Sequence, residues 1–305
     1  MTKNALLPEE QIIHLNRYLI DNANQLPSPV ITVGGQAVVY WLTAYIDSYP
    51  ERPEMTYITS QDVDYVAKKE NVEIIANIFN VEGKVQEVFN PPSIAVLTLI
   101  DKDTGKIKEI AKGVFSGESF NDPNLVDIID RPTGFDASDF MGEKLLLNTE
   151  PFLVMPDQHG AEMSHDFVRV LNPIATIRSR LSNATVPMGK DKRSESERLK
   201  IMALPAYNFL VDKLQRLPFR EARVYVDYFY EVIWQRQFRY FLVEYNIPLY
   251  VILVHLVAEL NQSVDDYDHI PAQFYRNELP RKAAFFESEF ERYRKLVGVS
   301  DRSEE

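Results

Sequence analysis

The reading turns on Val30–Tyr49, "VITVGGQAVVYWLTAYIDSY", and on Tyr57–Val66, "YITSQDVDYV", a few residues downstream. A short β-branched run ends at Gly34-Gly35, and residues 36–48 then read as a helix that stops before Pro50. The expected order is therefore strand, tight glycine turn, helix. The second stretch alternates and is β-branched around its acids, the pattern of a strand. Residues i and i+2 of a strand share a face, so Asp62 and Asp64 project two carboxylates side by side with Val63 turned to the core. Like charges held that close are unfavourable unless something positive lies between them. A divalent ion, Mg²⁺ or Mn²⁺, meets that need, because Mg²⁺ takes one or two carboxylates and completes its shell with water and substrate phosphates. The turn at Gly34 and Gly35 supplies the complementary part: the backbone approaches a phosphate closely and helix N-terminal N–H groups point at it. Metal carboxylates beside a phosphate cradle are what phosphoryl or nucleotidyl transfer requires.

Outward from this centre, residues 8–22 show helical spacing, with Pro8 at the first helical position and Ile12, Leu15, Leu19 and Ile20 on one stripe. A helix is expected over about residues 68–80, followed by three β-like runs, "KVQEVF", "SIAVLTLI" and "KIKEIAKGVF". The last two are joined by the hairpin turn "DKDTGK", in which Asp101 and Asp103 read as turn formers. "NLVDIIDRPTGF" adds a strand, and from Pro173 onward every segment reads as helix. The expected architecture is an α/β (α+β) N-terminal domain with a mixed sheet over residues 1–172 and an all-helical C-terminal domain over residues 173–305.

The order "GG", helix, "TSQ", "DVDY" resembles the nucleotidyltransferase superfamily, and within it the AbiEii-like nucleotidyltransferases, bacterial proteins that include toxins of toxin–antitoxin and phage-defence systems. "FVRVLNPIATIRSRLSNA" is similar to that branch's apolar strand, proline and basic helix. The likeness covers roughly residues 30–185. It implies an NTP substrate, Mg²⁺ held by Asp62 and Asp64, and a third carboxylate from a later strand. Asp127 in "LVDIID" fits, since a charge inside a strand between Val126 and Ile128 needs a reason. Gly34, Gly35 and Ser60 would line the nucleotide. The likeness also brings an RNA acceptor such as tRNA and an antitoxin protein into view as partners. Two departures are visible: the insert "PERPEM" before the acids, and Tyr57, Thr59 and Ser60 where the family often carries arginine.

Between Arg178 and Lys200 the chain has seven basic residues against three acidic ones, in a protein of net charge −12. This segment reads as a basic wall for a triphosphate or an RNA end, with Arg180 and Lys190 pointing inward. The overall charge argues against a general nucleic-acid coat protein. The absence of cysteine excludes disulfides and thiol nucleophiles. The start of the chain lacks the apolar core of a signal peptide. The longest apolar run, residues 247–260, falls short of the roughly 20 residues a membrane span needs. A cytoplasmic protein without a membrane partner is expected. The alternative reading, from another class, keeps the fold as a noncatalytic binding or scaffold protein whose aromatic helices form an interface.

Overall fold

The computed structural model describes residues 4–51, 53, 62–90, 93–117, 122–154, 162–186, 191–263 and 267–298, with backbone alone for 86–90. The chain divides into two compact units, Met1–Ala44 with Glu54–Ser179, and Tyr45–Pro53 with Arg180–Glu305. The second unit thus takes in a short segment far from it in sequence. The Tyr49 hydroxyl accounts for part of this, donating to the Ile201 carbonyl at 2.8 Å.

The first unit opens with α1 (Pro8–Asp21), which has Pro8 in its first turn and buries Ile12, Leu15 and Leu19. Then come β1 (Val30–Thr32), α2 (Gly34–Ala44), β2 (Val63–Val66), α3 (Val72–Ile78), β3 (Val81–Asn90) and β4 (Ser93–Asp101). β5 (Leu125–Ile129), α4 (Gly142–Asn148), β6 (Thr149–Pro151), β7 (Val168–Leu171) and α5 (Pro173–Thr185) follow. The cut between the units falls within α5. The seven strands form one mixed sheet in the order β3-β4-β5-β2-β1-β7-β6. β1 runs parallel to β7 and β2 parallel to β5, while β1 and β2 are antiparallel.

Three details depart from the sequence reading. The run "KIKEIAKGVF" makes isolated bridges, Ile100 with Ile107, Glu109 with Val114 and Ala5 with Val114, and does not form a strand. Its alternation is broken by Lys112-Gly113, and Gly113 lies so close to the Asn4 carbonyl that a Cβ there would stand 2.6 Å from it. The predicted helix at 36–48 ends at Ala44, and Ile46–Ser48 continues as a 3₁₀ turn. β6 carries no sequence signal; it is a three-residue edge strand containing Pro151, where a missing N–H is tolerated.

The sheet has two characters. β1 and β7 are buried throughout. β2, β4 and β5 alternate: Val63, Tyr65, Ala95, Leu97, Leu99, Val126 and Ile128 are buried on one face, whereas Asp64, Val96, Thr98, Leu125 and Asp127 on the other remain partly accessible. Period-two alternation of this kind marks a strand with one packed and one open face. On the packed face α1 is tied down by Asn16, whose amide donates to the Ile12 carbonyl (2.9 Å) and to the Tyr65 hydroxyl (3.2 Å). The Thr32 hydroxyl in turn donates to Asn16 Oδ1 at 3.2 Å.

The second unit is helical: α6 (Lys192–Arg216), α7 (Phe219–Ile233), α8 (Arg239–Glu244), α9 (Val251–Gln262) and α10 (Leu279–Leu296). α6 is N-capped by Asp191, whose carboxylate accepts from the Arg193 and Ser194 N–H groups, and it runs through Pro205 without ending. The aromatic stretch that reads as one helix is two, α7 and α8, broken at Trp234–Phe238. Most of its rings are core, though Tyr240 is exposed: Tyr230 packs on Phe286 and Trp234 on Phe290, with centroids 5.9 Å apart in both pairs.

Candidate functional site

Asp64 lies in β2 and Asp127 in β5, and the two are direct cross-strand partners in the parallel pair. Their side chains leave the same, open face from strands about 4.8 Å apart. Asp62, one residue before β2, lies beside the start of β5. Its Oδ1 accepts from the Leu125 N–H at 3.2 Å, so part of its carboxylate closes the start of β5. The third carboxylate read from the sequence therefore stands beside Asp64, and Asp62 is one step removed.

Gly34 fixes the second side of this corner. It adopts φ +69°, a backbone region that side chains disfavour. A Cβ built on it would overlap Asp64 Oδ2 and stand 3.0 Å from Asp64 Cγ. Glycine is thus required twice over, by conformation and by the carboxylate against its α-carbon. The Val33 N–H, just before it, donates to the Asp64 carbonyl at 3.0 Å, locking the turn to β2. α2 starts at this point, so its N-terminal N–H groups and positive dipole end lie at the same corner as Asp64. Gly35 is buried in the first turn of α2. Trp41, two turns on, anchors the helix by donating from Nε1 to the Leu171 carbonyl at 2.6 Å.

The cross-strand register extends the row. Asp127 pairs with Val96 of β4, and Val96 pairs with Lys84 of β3. Lys84 is exposed on the same face as the carboxylates, two strands from Asp127. Sequence reasoning missed this cation. The signal that finds it is pairing register, which no single strand contains.

Ser60 and Lys190 lie outside the described residues. Arg180 belongs to the second unit, where its side chain is 3% exposed and is held by the fully buried Glu195 at 3.2 Å. Arg198 reaches the same Glu195 oxygen at 3.0 Å. Arg180, expected to point inward in a basic wall for a phosphate or RNA end, is engaged in this internal ion pair. Arg178, in the first unit, stacks its guanidinium 4.0 Å from the Phe135 ring centroid and bonds Asp139 at 3.2 Å. Lys144 also reaches Asp139 at 3.2 Å. Burial opposes ionisation of Asp139, but the Asp136 N–H, Lys144 and Arg178 together hold its carboxyl below the usual value.

Among the described residues, no three His, Asp or Glu side chains are grouped closely enough to hold a metal ion by themselves. Asp64 and Asp127, with Asp62 nearby, are the carboxylates that could contribute to holding an ion such as Mg²⁺, which takes few protein carboxylates and needs substrate oxygens to complete its shell. No described helix is long and apolar enough to cross a membrane. No family model, curated protein or solved structure matches the chain.

Proposed function

We propose that this chain is a metal-dependent nucleotidyltransferase, moving an NMP from an NTP to an acceptor hydroxyl. The observation that supports the reading most strongly is the Asp64–Asp127 pair on adjacent strands with left-handed Gly34 closed against Asp64. Asp64, Asp127 and Asp62 would hold Mg²⁺, which supplies charge neutralisation at the NTP phosphates. Backbone N–H groups at the start of α2, around Gly34 and Gly35, would bind phosphate oxygens, as helix N-termini do. Lys84, on the same open face, would add a fixed cation to a site rich in negative charge. Asp127 would also take the proton of the acceptor hydroxyl. The new bond joins that oxygen to the α-phosphorus as the bond to pyrophosphate breaks. Alignment and charge stabilisation account for such a step without a covalent intermediate.

The resemblance to AbiEii-like proteins makes RNA, including tRNA, the acceptor to test first, and an antitoxin protein the partner to seek. Incubation with α-labelled NTPs, Mg²⁺ and total tRNA is expected to label the RNA. Asp64→Asn and Asp127→Asn should each abolish that label. Mg²⁺-dependent NTP binding with no transfer to any RNA, protein or small-molecule acceptor would instead support a noncatalytic binding protein.

A further inference from the structure

The second unit contains a cleft of about 480 Å³ between α6 and the stretch from Ile247 to His255. This volume lies in the range of about 300–1,000 Å³ typical of small-ligand pockets. Its walls are mainly aliphatic, from Ala203 and Leu204 of α6 and from Ile247, Leu249, Val251 and Ile252. Three polar side chains join them: Lys200, Tyr207 and His255.

We propose that this cleft binds an aliphatic carboxylate, its chain against the apolar walls and its carboxylate on Lys200. This goes beyond the nucleotidyl-transfer reading and does not depend on it. Lys200 is the one lysine or arginine among the described lining residues, and no aspartate or glutamate is among them. Its partner is Glu197, one turn away at 2.8 Å, with the two side chains 45% and 35% exposed. A solvated pair of this kind is weak and exchanges readily for another carboxylate. His255 sits edge-on to Tyr207, with centroids 6.1 Å apart, and adds a second nitrogen for a polar head. The nearby acid, Glu259, does not line the cleft; it accepts from the Tyr207 hydroxyl (3.4 Å) and the Tyr267 hydroxyl (3.2 Å). A cationic head would meet the Lys200 ammonium. A purely apolar ligand would take water from the ammonium and offer it no acceptor in return, which is costly.

The test is titration calorimetry on the full chain with decanoate, octanoate, hexanoate and decylamine, all below their micelle concentrations. Saturable decanoate binding is expected, weakening about fourfold for each methylene removed. Decylamine should bind at least tenfold more weakly than decanoate. Lys200→Met, at a half-exposed position, should weaken decanoate about threefold to fivefold, and Ala203→Phe should block it by filling the cleft. Equal binding of decylamine and decanoate, or decanoate affinity unmoved by Lys200→Met, would overturn the proposal. So would a cleft that ignores every ligand while the chain forms a dimer that Ala203→Phe dissociates.

Discussion

Two charge clusters, one in each unit, are built in opposite ways. In the second, Glu195 is sealed inside the protein with Arg180 and Arg198 on one of its oxygens, so opposite charges meet away from water. In the first, Asp64 and Asp127 stand side by side on the open face of a sheet, so like charges meet where a solute can reach them. A buried pair of opposite sign is a closed arrangement: little is gained from it, but losing one partner is expensive. Adjacent carboxylates are an open arrangement, and they favour the arrival of a cation. The contrast separates opposite charges closed inside the fold from carboxylates on a partly accessible face.

Breaking the closed arrangement should have the largest effect. Glu195→Ala leaves Arg180 buried without its carboxylate and is expected to cost about 3–5 kcal/mol, read from urea unfolding followed by circular dichroism. Glu195→Gln should cost less, because its amide oxygen still accepts from the guanidinium. Equal stability of Glu195→Ala and wild type would remove the basis for the comparison.

Gly34→Ala comes next. The left-handed backbone alone costs roughly 1–3 kcal/mol for a residue with a Cβ, and the overlap with Asp64 adds to it. Asp64→Ala in the same chain should recover the steric part, so the double mutant should be more stable than the sum of the single changes implies. A coupling of about 1 kcal/mol or more between two residues in contact is the expected result of that cycle. Additive effects would mean that Gly34 is not packed against the Asp64 carboxylate.

Smaller effects sharpen the contrast. Lys84→Ala, at an exposed position, should leave the unfolding midpoint unchanged and weaken NTP binding by a few-fold, in line with about 0.5–1 kcal/mol for a solvated charge contact. At Asp139 the folded carboxyl titrates below its ordinary value. Its contribution to stability is therefore present above the unfolded carboxylate range and lost as pH falls through the folded value. Asp139→Asn should flatten that part of the acid limb in a stability–pH profile and leave the neutral-to-basic limb in shape.

Much of the carboxylate corner was legible in the sequence because its signals are local. The β-branched run before Gly34-Gly35 and the i, i+2 acids need only neighbouring residues to be read. Asp127 was legible for a related reason: a charge flanked by Val126 and Ile128 within a strand stands out. What was not legible depends on pairing between distant segments. Lys84 joins the row through two successive cross-strand partners, and Asp62 is drawn aside by the Leu125 N–H. Arg180 shows the converse. A basic helix with no acid beside it in sequence looks like an open cation, yet Glu195 closes over it from the next helix. Helical texture was clear after Pro173, but the division of "PFREARVYVDYFYEVIWQRQFRYFLVEY" into α7 and α8 was not, since Trp234–Phe238 contains neither glycine nor proline.

The measurement closest to the central claim is NTP binding by titration calorimetry, with Mg²⁺ and with EDTA, on wild type, Asp64→Asn and Asp127→Asn. The expected result is saturable binding that needs Mg²⁺ and is lost in both variants. Both variants should remain folded, as read from their unfolding midpoints. NTP binding that survives EDTA, or that persists at wild-type affinity in the folded Asp64→Asn and Asp127→Asn proteins, would contradict it.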